Sequence, residues 1–184
     1  MNAYKICIIG LGNVGLDLAT NFSKKFYTVG FDINKKLIES IKINKKKYLR
    51  DSETHRNKLI VTNKHESIMN CDVYIITVPT PVNKKKNPDL HSIIETTKLI
   101  SKFLSKNNIV IYESTFYPGL TEELCIPLLE KESKLEINKD FFVGYSPERI
   151  NIGENEKMSN DSIKITSGSN QKASKIIDNL YKRV

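Results

Sequence analysis

The stretch that decides the fold is YKICIIGLGNVGLDL, residues 4–18. Its first half, Tyr4–Ile9, is a short apolar run rich in β-branched residues and reads as a buried strand. Gly10-Leu-Gly-Asn-Val-Gly15 follows, a G-x-G-x-x-G pattern. Beyond it Val14, Leu18 and Phe22 recur at helical spacing through about Lys25. Strand, glycine turn and helix in that order make a dinucleotide-binding fingerprint. The first glycine permits a tight turn, the second lets backbone approach a pyrophosphate, and the third lets helix and strand pack closely. Gly10, Leu11, Gly12, Asn13, Val14 and Gly15 are therefore candidate cofactor contacts, at a helix start whose N–H groups favour phosphate.

A second strand, Tyr27–Phe31, is closed by Asp32, 22 positions after Gly10. A carboxylate at that place hydrogen-bonds the adenosine ribose hydroxyls and repels a 2′-phosphate, which favours NAD over NADP. The alternative reading is that the glycines form only a turn and Asp32 only a helix cap. Asn34 is a cap for a helix through Ile43, and residues 44–58 are polar and aperiodic, a predicted loop.

Strands and helices alternate through most of the remaining chain. Leu59–Thr62 is a weak strand, Lys64–Met69 a short helix, and Val73–Val78 a continuous apolar strand stopped by Pro79-Thr80-Pro81. A loop over Val82–Pro88 leads to Asp89, a cap for a helix over Leu90–Leu104. Further strands are predicted at Ile109–Tyr112, Phe141–Tyr145 and Ile163–Thr166. Helices are predicted from Thr121 to about Glu130 and over Gln171–Lys182, and Ser146–Glu156 is a loop. The fold class implied is α/β: a Rossmann-type, doubly wound and mainly parallel sheet with helices on both faces.

Composition narrows the function classes. The 184 residues suit one domain, and no apolar run reaches the roughly 18 residues of a membrane span. The N-terminus runs directly into a strand without the build of a signal peptide, so a cytoplasmic location is expected. The net charge is +8, but its lysines are scattered in short runs, which argues against a nucleic-acid surface. Cys7, Cys71 and Cys125 form no C-x-x-C pair, so neither metal nor a disulfide framework is implied; each reads as a small buried hydrophobe.

Four further segments carry a family resemblance: Val73-Tyr-Ile-Ile-Thr-Val-Pro-Thr-Pro-Val82; Pro88-Asp-Leu90; Glu113-Ser-Thr-Phe-Tyr-Pro-Gly119 with Thr121-Glu-Glu123; and Gly144-Tyr-Ser-Pro-Glu-Arg-Ile-Asn151. With the glycine segment they make the whole chain resemble the cofactor domain of the UDP-sugar 6-dehydrogenases. Tyr-Pro-Gly and Ser-Pro-Glu-Arg are most similar to the branch acting on UDP-N-acetylhexosamines. The resemblance implies oxidation of the sugar C6 alcohol to a carboxylate with two NAD⁺, through a cysteine-bound intermediate, in a pathway making surface polysaccharide.

It also implies roles. Thr80, with Val78 and Pro79, lies beside the cofactor. Ser114 and Thr115 line it from the next strand, Thr115 also holding a polar group or water near the reacting carbon. Glu148 assists thioester hydrolysis as a base. The structural alternatives are a rigid strand exit for Thr80, a turn cap for Thr115 and a surface carboxylate for Glu148.

Departures from the family pattern are equally plain. Leu37 stands where a basic residue is common, leaving Lys36 as the nearest cation, and Ile152 stands where some members carry a carboxylate. The nucleophilic cysteine and catalytic lysine have no counterpart in residues 1–184. The expectation is thus one truncated NAD-binding domain, without the central helical and C-terminal UDP-sugar-binding domains, inactive alone and homodimeric when full length. The apolar patch where the missing half docks is then expected to be exposed. The rival readings are a UDP-glucose 6-dehydrogenase domain, a stand-alone NAD-binding module without catalysis, and a basic nucleic-acid binder.

Overall fold

The computed structural model describes residues 4–44, 58–82, 86–147 and 164–184. A seven-stranded sheet runs through the centre. Its strands are β1 (Lys5–Ile9), β2 (Tyr27–Phe31), β3 (Leu59–Thr62), β4 (Val73–Ile76), β5 (Ile109–Tyr112), β6 (Phe142–Tyr145) and β7 (Ser167–Gly168). They lie in the order β3-β2-β1-β4-β5-β6-β7. All pairs are parallel except β6 with β7, where Gly144 faces Gly168 and Tyr145 faces Ser167 in antiparallel register.

Alternate residues of the parallel strands feed two separate cores, as the period of two requires. Ile6, Ile8, Val73, Ile75, Ile109 and Ile111 face one side. There they meet α1 (Asn13–Ser23), α2 (Lys35–Ile43) and α5 (Gln171–Tyr181) through Leu16, Phe22, Ile38, Ile41, Ile177 and Leu180. Cys7, Ile9, Tyr74, Ile76, Val110 and Tyr112 face the other side. They meet α3 (His91–Ser101) and α4 (Ile126–Ser133) through Ile93, Ile100 and Leu129. Helices on both faces make the sheet doubly wound, as its continuous apolar strands predict.

Differences from the sequence reading lie at element ends. The strand expected over Ile163–Thr166 is instead the two-residue β7 at Ser167–Gly168. Ile165 is half exposed, and its carbonyl accepts from the Ser146 hydroxyl at 2.9 Å rather than joining a ladder. The expected strand over Val73–Val78 ends at Ile76, because Thr77 turns out of the sheet after its N–H reaches Ile9 O at 2.9 Å. Helix α3 begins at His91 with Leu90 as cap, and Asp89 sits one position further out, accepting from the His91 N–H at 2.9 Å. Between Thr121 and Cys125 the backbone makes a π turn before α4. Pro127, in the first turn of α4, has no N–H to give to a carbonyl one turn back, so the preceding turn widens. The predicted loop at 44–58 and most of that at Ser146–Glu156 lie outside the described residues. Among the described residues, no helix is long and apolar enough to cross a membrane.

Candidate functional site

Because β1, β2, β4, β5 and β6 are parallel, their carboxyl ends open onto one edge. The strand order reverses at β1, whose neighbours are β2 and β4. A crevice outside the carboxyl ends at such a reversal is the common ligand position in open α/β sheets. The candidate residues Gly10–Gly15, Asp32, Val78–Thr80 and Ser114–Thr115 all lie along this edge.

Gly10 leaves β1 with φ of +94°, a conformation that L side chains rarely adopt. The next peptide then turns so that the Leu11 N–H donates to Asp32 Oδ2 at 2.8 Å. The Leu11 side chain points inward; it is 1% exposed and packs over Gly30. A methyl group added at Gly15 would lie 1.8 Å from Gly10 O, so α1 crosses the end of β1 at contact distance. One added at Gly12 would meet nothing within 4 Å. The middle glycine therefore borders open space, while the third is locked between backbone segments.

The start of α1 differs from those of α2 and α5. Asn34 caps α2 by accepting from the Leu37 N–H, and Asn170 caps α5 by accepting from the Ala173 N–H. Helix α1 begins at Asn13 with Gly12 in the cap position and, like α3 and α4, has no side-chain cap. Its leading N–H groups, from Asn13 and Val14 onward, have no intrahelical acceptor by the geometry of any helix start. A positive helix end facing open space beside Gly12 fits a pyrophosphate. Asp32 fits a ribose diol. Its Oδ1 accepts from the Asn34 N–H at 2.8 Å and its Oδ2 from Leu11, which orients the carboxylate and leaves each oxygen further acceptor capacity. Lys36 is exposed in the first turn of α2.

Two hydroxyls tie the exits of β4 and β5 together. Ser114 Oγ donates to Val78 O at 2.6 Å, and Thr80 Oγ1 donates to Thr115 O at 2.8 Å. Phe116 stacks on Tyr145 with ring centroids 5.6 Å apart, and its N–H points at the Tyr145 hydroxyl at 3.3 Å. Thr115 is exposed at the rim, whereas Ser114 is buried. Glu148 lies outside the described residues, and so does Ile152.

Sequence reasoning missed two features. Thr77, a single hydroxyl inside an apolar run, reaches Gly10 O at 2.7 Å. Glu113, 2% exposed, accepts from Lys164 Nζ at 3.1 Å and from the Tyr181 hydroxyl. A polar residue interrupting the apolar string at Thr77 was a legible signal; the partners of Glu113 were not. The three cysteines are buried, away from nucleophilic use. Burial pushes the Cys125 thiol up to about 11 and also raises that of Cys7, while hydrogen bonding to Cys7 lowers that of Cys71.

Comparison with known proteins agrees with this geometry. Residues 4–184 match the UDP-glucose/GDP-mannose dehydrogenase family, NAD binding domain. The UDP-N-acetyl-D-glucosamine 6-dehydrogenase of Salmonella typhi is 45% identical over 98% of this chain and 43% of its own length. That of Pseudomonas aeruginosa is 44% identical over 100% of this chain and 44% of its own length. The structure of a UDP-D-ManNAc dehydrogenase from Pyrococcus horikoshii superposes with a TM-score of 0.84 at 30% identity, covering 97% of this chain and 44% of that one. The chain thus spans less than half the length of these relatives.

Proposed function

From a chain that belongs to the UDP-glucose/GDP-mannose dehydrogenase family as its NAD-binding domain, we propose the cofactor half of a UDP-N-acetylhexosamine 6-dehydrogenase. The reaction converts the sugar's C6 hydroxymethyl group and one water to a carboxylate, with two NAD⁺ taking up two hydrides and three protons released. The reading is supported by the relatives' specificity, by the open space beside Gly12 at an uncapped helix start, and by Asp32 held by two backbone N–H groups. That last arrangement carries the cofactor assignment, and the relatives carry the sugar.

In this reading the N–H groups of Asn13 to Gly15 bind the pyrophosphate, and Gly12 keeps side-chain atoms out of its way. Asp32 accepts from both ribose hydroxyls and excludes a 2′-phosphate by charge. Val78, Pro79 and Thr80 with Ser114 and Thr115 border the nicotinamide end, where the bound cofactor supplies a hydride acceptor. The Thr80 and Ser114 hydrogen bonds hold those two strand exits at a fixed separation. Thr115 orients the oxygen at the reacting carbon, and Glu148 takes a proton from the water that releases the product. Val82, Tyr117 and Ile165, exposed apolar residues near the same edge, suit a surface that the rest of an intact enzyme covers. The 184 residues then bind cofactor without turning it over, and the intact enzyme is a homodimer.

Calorimetric titration of this chain with NAD⁺ and NADP⁺ tests the cofactor assignment. NAD⁺ is expected to bind and NADP⁺ to bind at least about tenfold more weakly. Equal affinities would remove Asp32 from its role, and no binding of either would overturn the assignment. Turnover of UDP-N-acetylglucosamine against UDP-glucose by the full-length protein tests the sugar.

A further inference from the structure

We propose that Thr77 is a positioning residue of the cofactor site, acting on Asp32 through the Gly10–Leu11 peptide. The proposal rests on the assignment of Asp32 to the cofactor ribose. Thr77 is half-buried at the exit of β4, beside the point where the strand order reverses. Its hydroxyl lies 2.7 Å from Gly10 O and 3.1 Å from Ile9 O. A hydroxyl has one proton to donate, and the shorter contact takes it.

Gly10 O and the Leu11 N–H belong to one peptide unit. None of the described peptides is cis, so the two groups point in opposite directions. On one side Thr77 Oγ1 donates to the carbonyl; on the other the N–H donates to Asp32 Oδ2 at 2.8 Å. The peptide is held at both ends. Donation to its carbonyl polarises it and strengthens its N–H as a donor to the carboxylate. Gly10, at φ of +94°, has as a glycine more alternative backbone states than a residue with a side chain, so the clamp has a conformation to select.

Helix α1 is fitted to the same hydroxyl. A methyl group at Gly15 would lie 2.5 Å from Thr77 Oγ1 as well as 1.8 Å from Gly10 O. The third glycine therefore makes room for the Thr77 hydrogen bond along with the strand end. Because the Asn34 N–H fixes the other carboxylate oxygen, the Thr77 chain removes the remaining freedom of Asp32. Thr77 touches no ligand in this account; it prepares a residue that does.

The test is a double-variant cycle on the full chain, read as NAD⁺ dissociation constants from calorimetry with melting temperatures alongside. Thr77→Ala is expected to weaken NAD⁺ binding about fivefold and Thr77→Ser to stay within about twofold of the parent. In an Asp32→Ala background, which leaves the Leu11 N–H no side-chain acceptor at position 32, the Thr77→Ala effect is expected to fall below about twofold. A purely structural role would lower the melting temperature yet leave this coupling at zero. Should Thr77→Ala not fold, Thr77→Cys keeps the volume, weakens the donor and carries the same cycle. Equal factors in both backgrounds, or parent-like affinity in the Thr77→Ala chain, overturns the proposal while the cofactor assignment stands. Failure of the parent chain to bind NAD⁺ overturns both.

Discussion

The two ends of the sheet's carboxyl edge are organised by opposite means. Around β1, β2 and α1, the chain approaches itself so closely that side chains are excluded, and contacts run largely through backbone at Gly10 and Gly15. Around the exit of β5 and the last turn of α5, the chain is held by long side chains. Glu113 is paired with Lys164 and Tyr181, and Tyr181 packs edge-on against Phe22 of α1 at 5.6 Å between centroids. The first region is specified by what is missing from its residues, the second by what they carry. A steric requirement is local and tolerates no substitute. A pairing requirement joins distant positions and tolerates matched replacement.

Gly15→Ala should show the largest effect, a stability loss of about 4 kcal/mol in urea unfolding, because both the clashing Cβ and Gly10 O are fixed by backbone. A loss under about 1 kcal/mol would show that α1 can slide, and the steric half of the contrast would fail. At the other end, Glu113→Gln is expected to cost about 2–3 kcal/mol, by removing the buried carboxylate charge that accepts from Lys164 and Tyr181. Adding Lys164→Met should recover at least about 1 kcal/mol of that loss in the double-variant cycle. Additive losses would mean that pairing does not organise this end. The smallest stability effect belongs to Gly12→Ala, within about 0.5 kcal/mol in the same unfolding assay, since nothing in the chain meets the added carbon. Calorimetry should nevertheless show NAD⁺ affinity falling by about tenfold or more. Parent-like binding by that variant would separate the glycine turn from phosphate recognition.

The same contrast explains how much could be read in advance. The parallel sheet, its two covered faces and the glycine turn were legible because each leaves a periodic or local mark. Strands of Ile and Val, G-x-G-x-x-G at the first strand exit, and Asp32 at the second are contiguous patterns. Asn34 as a cap was legible for the same reason. Glu113 was visible only as part of a short segment, because its partners lie 51 and 68 positions away. Thr77 lies within a run that reads as a continuous apolar strand, and its acceptor belongs to a loop 67 positions earlier, which no local pattern marks. The misplaced seventh strand has another cause. Ile163 and Ile165 alternate as a strand would, but the ladder uses Ser167 and Gly168. A methyl group at Gly168 would lie 2.3 Å from the Ser174 N of α5. Close backbone approach, rather than alternating hydrophobicity, selects where the chain joins β6.

That antiparallel end piece also bears on solubility. A strand edge presents a row of N–H and C=O groups that a second chain can extend, and a long edge is a template for aggregation. Two residues running against the direction of β6 offer an incoming strand little to pair with, and the helix laid against Gly168 crowds its approach. At this margin the sheet is terminated rather than merely ended, which protects a sheet of continuous apolar strands from lengthening across molecules.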